Sequence, residues 1–251
     1  MGNDCKFSGK ANAYAKYRPT YPEEYLEYLA ADCGLHPGID VADIGSGTGI
    51  LTRQLLAREV RVFAVEPNRD MRMMAEAELS EYSGFVSMNA AAEHTGLVDQ
   101  SIDLITVAQA FHWLDPEQFQ LECRRILRSG ARAALVWNSR DETSQLVNEL
   151  GEVCRKFCPE YTGFSGGIQK TPEIYQMFFR DSTCEYRVFQ NDLSYDKKSF
   201  VGRIMSASYS LRENDPKYQE FVDAILLLFD KYSYADRIII PNLTRSYVGL
   251  V

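Results

Sequence analysis

The stretch that most restricts this chain is Val41-Ala-Asp43-Ile-Gly45-Ser-Gly47-Thr-Gly49-Ile-Leu51. A short apolar run breaks into glycines at alternate positions and then gives way to a helical pattern. A strand–loop–helix unit of this kind needs backbone that turns tightly and lets a ligand approach, which glycine permits. In a doubly wound sheet the carboxyl end of the first strand is the edge at which ligands bind. The loop departs from the dinucleotide fingerprint G-x-G-x-x-G. Gly45 and Gly47 fit it, but Ile50 stands at the third position and the extra glycine falls at 49. Asp43 precedes the loop. A pyrophosphate site needs anion-binding amides, so an acid here better suits a cationic ligand, such as one with an ammonium and a sulfonium.

The rest of the first half repeats the strand–helix rhythm. Pro22 with Glu23 and Glu24 predicts a helix start, because proline suits the first turn and acids favour its positive end; Gly34 and Pro37 end that helix near Cys33. Strands are predicted at 41–44, 60–65, 85–88, 102–107 and 131–137, and helices at 51–58, 69–82 and 116–127. Alternation at this spacing predicts a mainly parallel sheet covered on both faces, with right-handed connections. After Trp137 the rhythm changes. Residues 141–180 read as helical or irregular, 184–190 as a strand, and 197–209 and 216–231 as helices. Ile238–Ile240 and Thr244–Val248 flank Pro241-Asn242, which predicts a hairpin or bend.

Bulk properties narrow the function. The 251 residues carry a formal net charge of −8, which repels phosphate backbones and anionic membranes. Nucleic acid and membrane are therefore not expected as partners; a small-molecule substrate is, with the protein a monomer or homodimer. The start MGNDCKFSGK has no apolar core and reads as neither signal peptide nor anchor. That predicts a cytoplasmic protein whose six cysteines are free thiols. Cys154 and Cys158 share a helix face, but no cluster supplies further ligands, so no metal is expected.

Glu66 closes the second strand in Val65-Glu66-Pro67-Asn68, about twenty residues beyond the loop, where an acid accepts both ribose hydroxyls of an adenosine ligand. NAD and S-adenosylmethionine both fit that position. Taken with Asp43-Ile-Gly45-Ser-Gly47-Thr-Gly49, Met71, Asn89-Ala-Ala-Ala92-Glu93, Asp103-Leu-Ile-Thr-Val-Ala108-Gln109-Ala-Phe-His112-Trp113 and Leu127-Arg-Ser-Gly130, the chain resembles the class I S-adenosylmethionine-dependent methyltransferases. The likeness is to their small-molecule branch, which includes the ubiquinone/menaquinone-type enzymes. It is good over about residues 7–140 and looser to the end.

The resemblance implies a Rossmann-like, seven-stranded, mostly parallel sheet with an antiparallel C-terminal strand and a helical cap. It implies an N-terminal arm and first helix (1–35) that form a lid, a cofactor-binding core (36–140), and cap helices with terminal strands (141–251). By the same resemblance Gly45, Gly47 and Gly49 pass under the methionine and ribose, and Asp43 holds the methionine amino group directly or through water. Glu66 grips the ribose, Pro67, Asn68 and Met71 flank the adenine, Ala92 and Glu93 read its edge, and Ala108 and Gln109 lie beside the sulfonium. Asn89 and Ala91, and Ser129-Gly130 before strand five, depart from the usual pattern of the family.

Methyl transfer from a sulfonium is an in-line displacement in which the protein supplies placement and electrostatics. His112 is the candidate general base for a phenol, hydroxyl or amine acceptor; otherwise His112 and Trp113 pack over the adenine. Tyr14, Tyr17, Arg18 and Tyr21 are expected to close the cofactor mouth. Arg18, Arg140 and Arg203 are available to pair with a carboxylate, and the aromatics after residue 140 to build a cap pocket. A nicotinamide-dependent oxidoreductase and a non-enzymatic cofactor-binding protein are the competing readings.

Overall fold

The structure is a computed structural model and describes residues 19–164, 173–207 and 209–251. Of the expected lid residues, Tyr14, Tyr17 and Arg18 lie outside the described residues. In chain order the elements are α1 (Glu23–Asp32), β1 (Asp40–Ile44), α2 (Ile50–Leu56), β2 (Arg61–Val65), α3 (Arg69–Leu79), β3 (Phe85–Met88), β4 (Ile102–Ala108), α4 (Pro116–Ile126) and β5 (Leu127–Arg140). There follow α5 (Gln145–Phe157), α6 (Glu173–Phe178), β6 (Glu185–Gln190), β7 (Leu193–Tyr195), α7 (Lys197–Met205), α8 (Tyr218–Tyr232), β8 (Ile238–Ile240) and β9 (Asn242–Gly249).

Seven strands form one sheet in the order β3-β2-β1-β4-β5-β9-β6. β1 to β5 are mutually parallel, and β9 runs antiparallel between β5 and β6. Alternation along each strand sends side chains to opposite faces. Val41, Val62, Leu104, Ala134 and Val136 pack with α1, α2 and α3 on one face. Ala42, Ile44, Ile105, Leu135 and Trp137 pack on the other with Phe119 and Ile126 of α4 and the rings of Tyr175 and Phe178 from α6. The fold is thus an α/β Rossmann-like sheet with one antiparallel strand and a helical cap.

The cap has its own core. α5 buries Leu146, Val147, Leu150, Cys154 and Phe157, a helical-period stripe, against Phe221, Ile225 and Phe229 of α8 and Phe200 of α7. β7 and β8 form a separate two-stranded ribbon beneath these helices. Tyr175, Phe178 and Phe179 join the sheet's core, so not every aromatic of this region belongs to the cap.

Two local expectations change. Strand five begins at Leu127, directly after α4, and runs to Arg140, longer than the predicted 131–137. The register with β4 shifts between Ile102 and Leu104, and Gly130, with φ of +80°, takes up the extra chain there. The Pro241-Asn242 corner is a bend and not a hairpin. Pro241 interrupts the pairing, β8 pairs with β7, and β9 enters the main sheet.

Candidate functional site

At the carboxyl ends of β1 and β4 a cleft opens, with about 440 Å³ of empty volume that is partly continuous with solvent. It is lined by Pro19, Tyr21, Gly45, Ser46, Gly47, Thr48, Ile50, Leu51, Ala108, Gln109 and Asn138. Gly45, Gly47, Ala108, Gln109 and Tyr21 were expected here; Ser46, Thr48 and Asn138 were not singled out.

The glycines are required for more than ligand clearance. A β-carbon on Gly45 would lie 2.5 Å from the Ala110 Cβ, and one on Gly49 2.6 Å from Leu79. Both residues also sit at positive φ, +65° and +80°. Gly49 therefore serves the packing of α2 against α3, and it is not part of the cleft wall. Gly47 faces Met71, whose sulfur would be 3.5 Å from an added β-carbon.

Four of the loop's amides are already committed. The N–H groups of Gly45 and Ser46 both donate to the Val65 carbonyl, and that of Gly49 to the Ser46 carbonyl. The Gly47 N–H donates to Glu66 Oε2 at 2.9 Å. Glu66 Oε1 accepts from the Asn68 N–H at 2.8 Å. Asn68 caps α3 by accepting from Met71 N–H, so Glu66, Pro67, Asn68 and Met71 form one rigid corner beside the loop. A phosphate-binding loop points its free amides at the anion. Here four amides are spent within the protein and a carboxylate covers one of them.

Asp43 is fully buried and accepts from the hydroxyls of Thr52 (2.6 Å) and Thr106 (2.8 Å). Burial pushes its carboxyl up to about 6, against the pull of the two hydroxyls. It does not line the cleft, so the direct form of the amino-group contact expected of it is not what this arrangement offers. Its two hydrogen bonds instead tie β1 to α2 and β4 under the loop.

Ala92 is buried in the β3–β4 connection, and Glu93 accepts from the Asp115 N–H at 3.0 Å ahead of α4. Neither reaches the cleft. His112 lies in a 3-10 turn, Phe111–Trp113, with its ring 4.6 Å from that of Trp113. It does not line the cleft either. Burial lowers it to about 4, so its imidazole is neutral at physiological pH. Trp113 is 38% exposed. Arg140 lies at the end of β5 with its guanidinium 3.8 Å over the Phe164 ring, outside the cleft wall.

Residues 19–21 cross the mouth of the cleft and are held by a polar clasp. Tyr21 N–H donates to Gln54 Oε1, and the Gln54 amide donates back to the Tyr21 carbonyl. The Thr20 carbonyl accepts from Asn138 (3.1 Å) and Asn191 (2.9 Å). Asn191 also donates to Asn138 Oδ1 and Thr244 Oγ1, and the Thr244 hydroxyl donates to Asn138 Oδ1. Gln109, at φ +59°, donates to the Asn138 carbonyl. These partners are scattered over the sequence, which is why only Gln109 and Tyr21 could be picked out of it. Asn138 carried one signal: it follows an apolar strand at the ligand edge.

Residues 42–135 match the methyltransferase domain family. The uncharacterized methyltransferase Rv3342 of Mycobacterium tuberculosis is 40% identical over 147 residues, 59% of this chain and 58% of that protein. The uncharacterized methyltransferase C25B8.09 of Schizosaccharomyces pombe is 27% identical over 57% of this chain and 56% of its own length. The matched region thus spans under three-fifths of the curated relatives. Among solved structures, a candidate type II methyltransferase from Anaeromyxobacter dehalogenans superposes with a TM-score of 0.67 at 23% identity, over 93% of this chain and 98% of the other. A SAM-dependent methyltransferase from Aquifex aeolicus gives 0.53 at 18%, over 71% and 90%. The chain thus shares its fold with these solved structures, and its glycine-loop region, residues 42–135, is similar to the methyltransferase domain family.

Proposed function

We propose that this protein binds S-adenosylmethionine in the β1–β4 cleft and transfers its methyl group to a small-molecule acceptor in the cytoplasm. The observation that carries the reading is the committed loop. With the amides of Gly45, Ser46, Gly47 and Gly49 already donating inside the protein, and the Glu66 carboxylate on one of them, this stretch of the loop offers a phosphate little to bind. That favours a ligand with a positive centre and a diol, and it opposes the pyrophosphate of NAD. The Thr48 hydroxyl, buried at the cleft wall without a partner among the described residues, is a polar group such a ligand would satisfy.

S-adenosylmethionine, when bound, supplies an electrophilic methyl group on a sulfonium. Glu66, its orientation fixed by Gly47 and Asn68, would hold the ribose hydroxyls. Pro67, Asn68 and Met71 would give the adenine a floor. Ala108 and Gln109 stand where the sulfonium end would lie, and Tyr21 covers the mouth. Covering the mouth removes water from the reacting atoms. His112, neutral and away from the cleft, is a weak base, so placement and exclusion of water carry the transfer. The motifs shared with the quinone-type enzymes all lie on the cofactor side; they support the cofactor reading and leave the acceptor to the cap.

Calorimetry with S-adenosylmethionine, S-adenosylhomocysteine and NAD tests this. Binding of both sulfur ligands and no heat from NAD is expected. Heat from NAD alone would overturn it.

A further inference from the structure

The face of β5 that lines the cleft continues past it. Successive residues of a strand point to opposite faces, so Val136, Asn138 and Arg140 share one face, about 7 Å apart in pairs. Asn138 forms part of the cleft wall, and Arg140 is the next residue outward on the same side. Across the antiparallel ladder the direct partners are Thr244 for Asn138 and Asn242 for Arg140. Facing pairs of this kind have their β-carbons about 5 Å apart. The Thr244–Asn138 hydrogen bond confirms the orientation for the first pair. The second pair brings together two donors. Asn242 is 3% exposed, and its Nδ2 has no hydrogen-bond partner. Among the described residues no carboxylate forms an ion pair with Arg140. Asp192, the acid attached to this corner, is taken up by the Asn242 N–H and by Gln190.

The cap shapes the other side. Phe164 stacks under the guanidinium at 3.8 Å. Tyr161 meets Phe164 edge-on at 5.0 Å and Tyr209 at 5.0 Å, which closes three sides of a box. Gly151 of α5 makes room for it, since a β-carbon there would lie 3.2 Å from the Tyr161 hydroxyl and 3.4 Å from Phe164. Arg155 and Arg203 act on the same tyrosines electrostatically, so the box is positive within a chain of net charge −8. A guanidinium whose face is stacked on a ring keeps its N–H edge for planar, bidentate acceptors. Arg140 has the Tyr209 hydroxyl beside it but no carboxylate, and a partly buried cation without a counter-charge next to a buried amide donor without an acceptor is costly to maintain. A carboxylate placed between them removes that cost.

We propose that Arg140 and Asn242, walled by Phe164, Tyr161 and Tyr209, form the acceptor's carboxylate seat, so that the molecule methylated is a small organic acid. This rests on the methyltransferase reading above and narrows its substrate class. The seat lies one strand step beyond the cleft wall. It therefore anchors the acid while the rest of the molecule extends back toward the cofactor.

The test uses the full chain saturated with S-adenosylhomocysteine, with hexanoate, succinate and cinnamate as probes, each against its amide. Isothermal titration is expected to show binding of at least one acid and at least tenfold weaker binding of its amide. In Arg140→Gln that acid should bind at least tenfold more weakly, while the affinity for S-adenosylhomocysteine stays within twofold. Asn242→Ala, which leaves the cation–ring stack in place, should weaken the acid several-fold and serves if Arg140→Gln does not fold. If acids and amides bind alike, if no acid binds, or if the folded variants keep full acid affinity, the inference is wrong. Failure of the wild-type protein to bind S-adenosylhomocysteine would instead overturn the methyltransferase reading, and that result is recorded in the first titration.

Discussion

Replacing Glu66 by Gln separates what this carboxylate does for the fold from what it does for a ligand. Its two oxygens accept the Gly47 and Asn68 N–H groups at 2.9 and 2.8 Å, and the residue is 8% exposed. A glutamine oxygen can serve one of these amides; its NH2 must face the other, donor against donor. An unsatisfied buried donor costs about 1–3 kcal/mol. In a chain of this size that lowers the melting temperature by roughly 2–10 °C. The ribose diol would lose a charge-assisted acceptor worth about 1.5–3 kcal/mol, which is roughly a ten- to hundredfold rise in Kd. Titration with S-adenosylhomocysteine and paired melting curves with and without it read the two effects separately. A hundredfold weaker ligand also cuts the ligand-induced stabilisation by about 2.7 kcal/mol. A variant that melts earlier yet binds S-adenosylhomocysteine as tightly as wild type would refute the ribose role and leave Glu66 as a loop brace.

Further outcomes are expected. His112→Asn should retain methyl transfer within a few-fold at saturating cofactor, because a histidine lowered to about 4 and outside the cleft is a poor base; a loss of a hundredfold or more, with a matching change in the pH profile, would restore the base. Asn191→Ala removes three donor contacts to Thr20, Asn138 and Thr244 without substituting a residue of the cleft wall; stopped-flow release of S-adenosylhomocysteine should quicken several-fold, and unchanged release would show that residues 19–21 do not gate the mouth. Stability against pH carries opposing contributions. The Asp43 carboxyl is raised from 3.8 to about 6, so the native state binds the extra proton and stability falls as pH rises through that window, by roughly 3 kcal/mol. His112 is lowered from 6.5 to about 4, so the unfolded state binds the extra proton there and stability rises across nearly the same window. Asp43→Asn should expose the rising limb in urea titrations between pH 4 and 6.5, and a profile parallel to wild type would contradict the raised carboxyl.

The order of elements was legible because period-2 and period-3.6 patterns are local, and so was the ligand edge, because the glycine loop marks it. What escaped reading were features set by partners distant in sequence. The span of β5 was underestimated because Gly130 looked like a turn; only pairing with β4 on one side and β9 on the other makes it a point of irregular register within one strand. Of the hairpin and the bend that Pro241-Asn242 allows, the bend is what forms, because β9 inserts between β5 and β6 while β8 pairs with β7. Asn138 gained its place from Thr244, Asn191 and Thr20, more than fifty residues away in each direction, and no local rule names such a residue.

The two acids show how a single letter conceals its use. Asp43 and Glu66 both end strands at the ligand edge, and both read from sequence as ligand contacts. The structure gives them different neighbours. Asp43 meets two hydroxyls and no solvent, and it joins β1, α2 and β4. Glu66 meets two backbone amides and borders the loop, and it joins that loop to the start of α3. Hydroxyls can rotate to suit either protonation state of a carboxyl, which lets Asp43 stay buried near neutrality. Backbone amides only donate, so the two at Glu66 hold its carboxylate in one orientation. The acid with the adaptable partners is the one suited to hold strands together. The acid with the fixed partners is held in one orientation between the glycine loop and the start of α3.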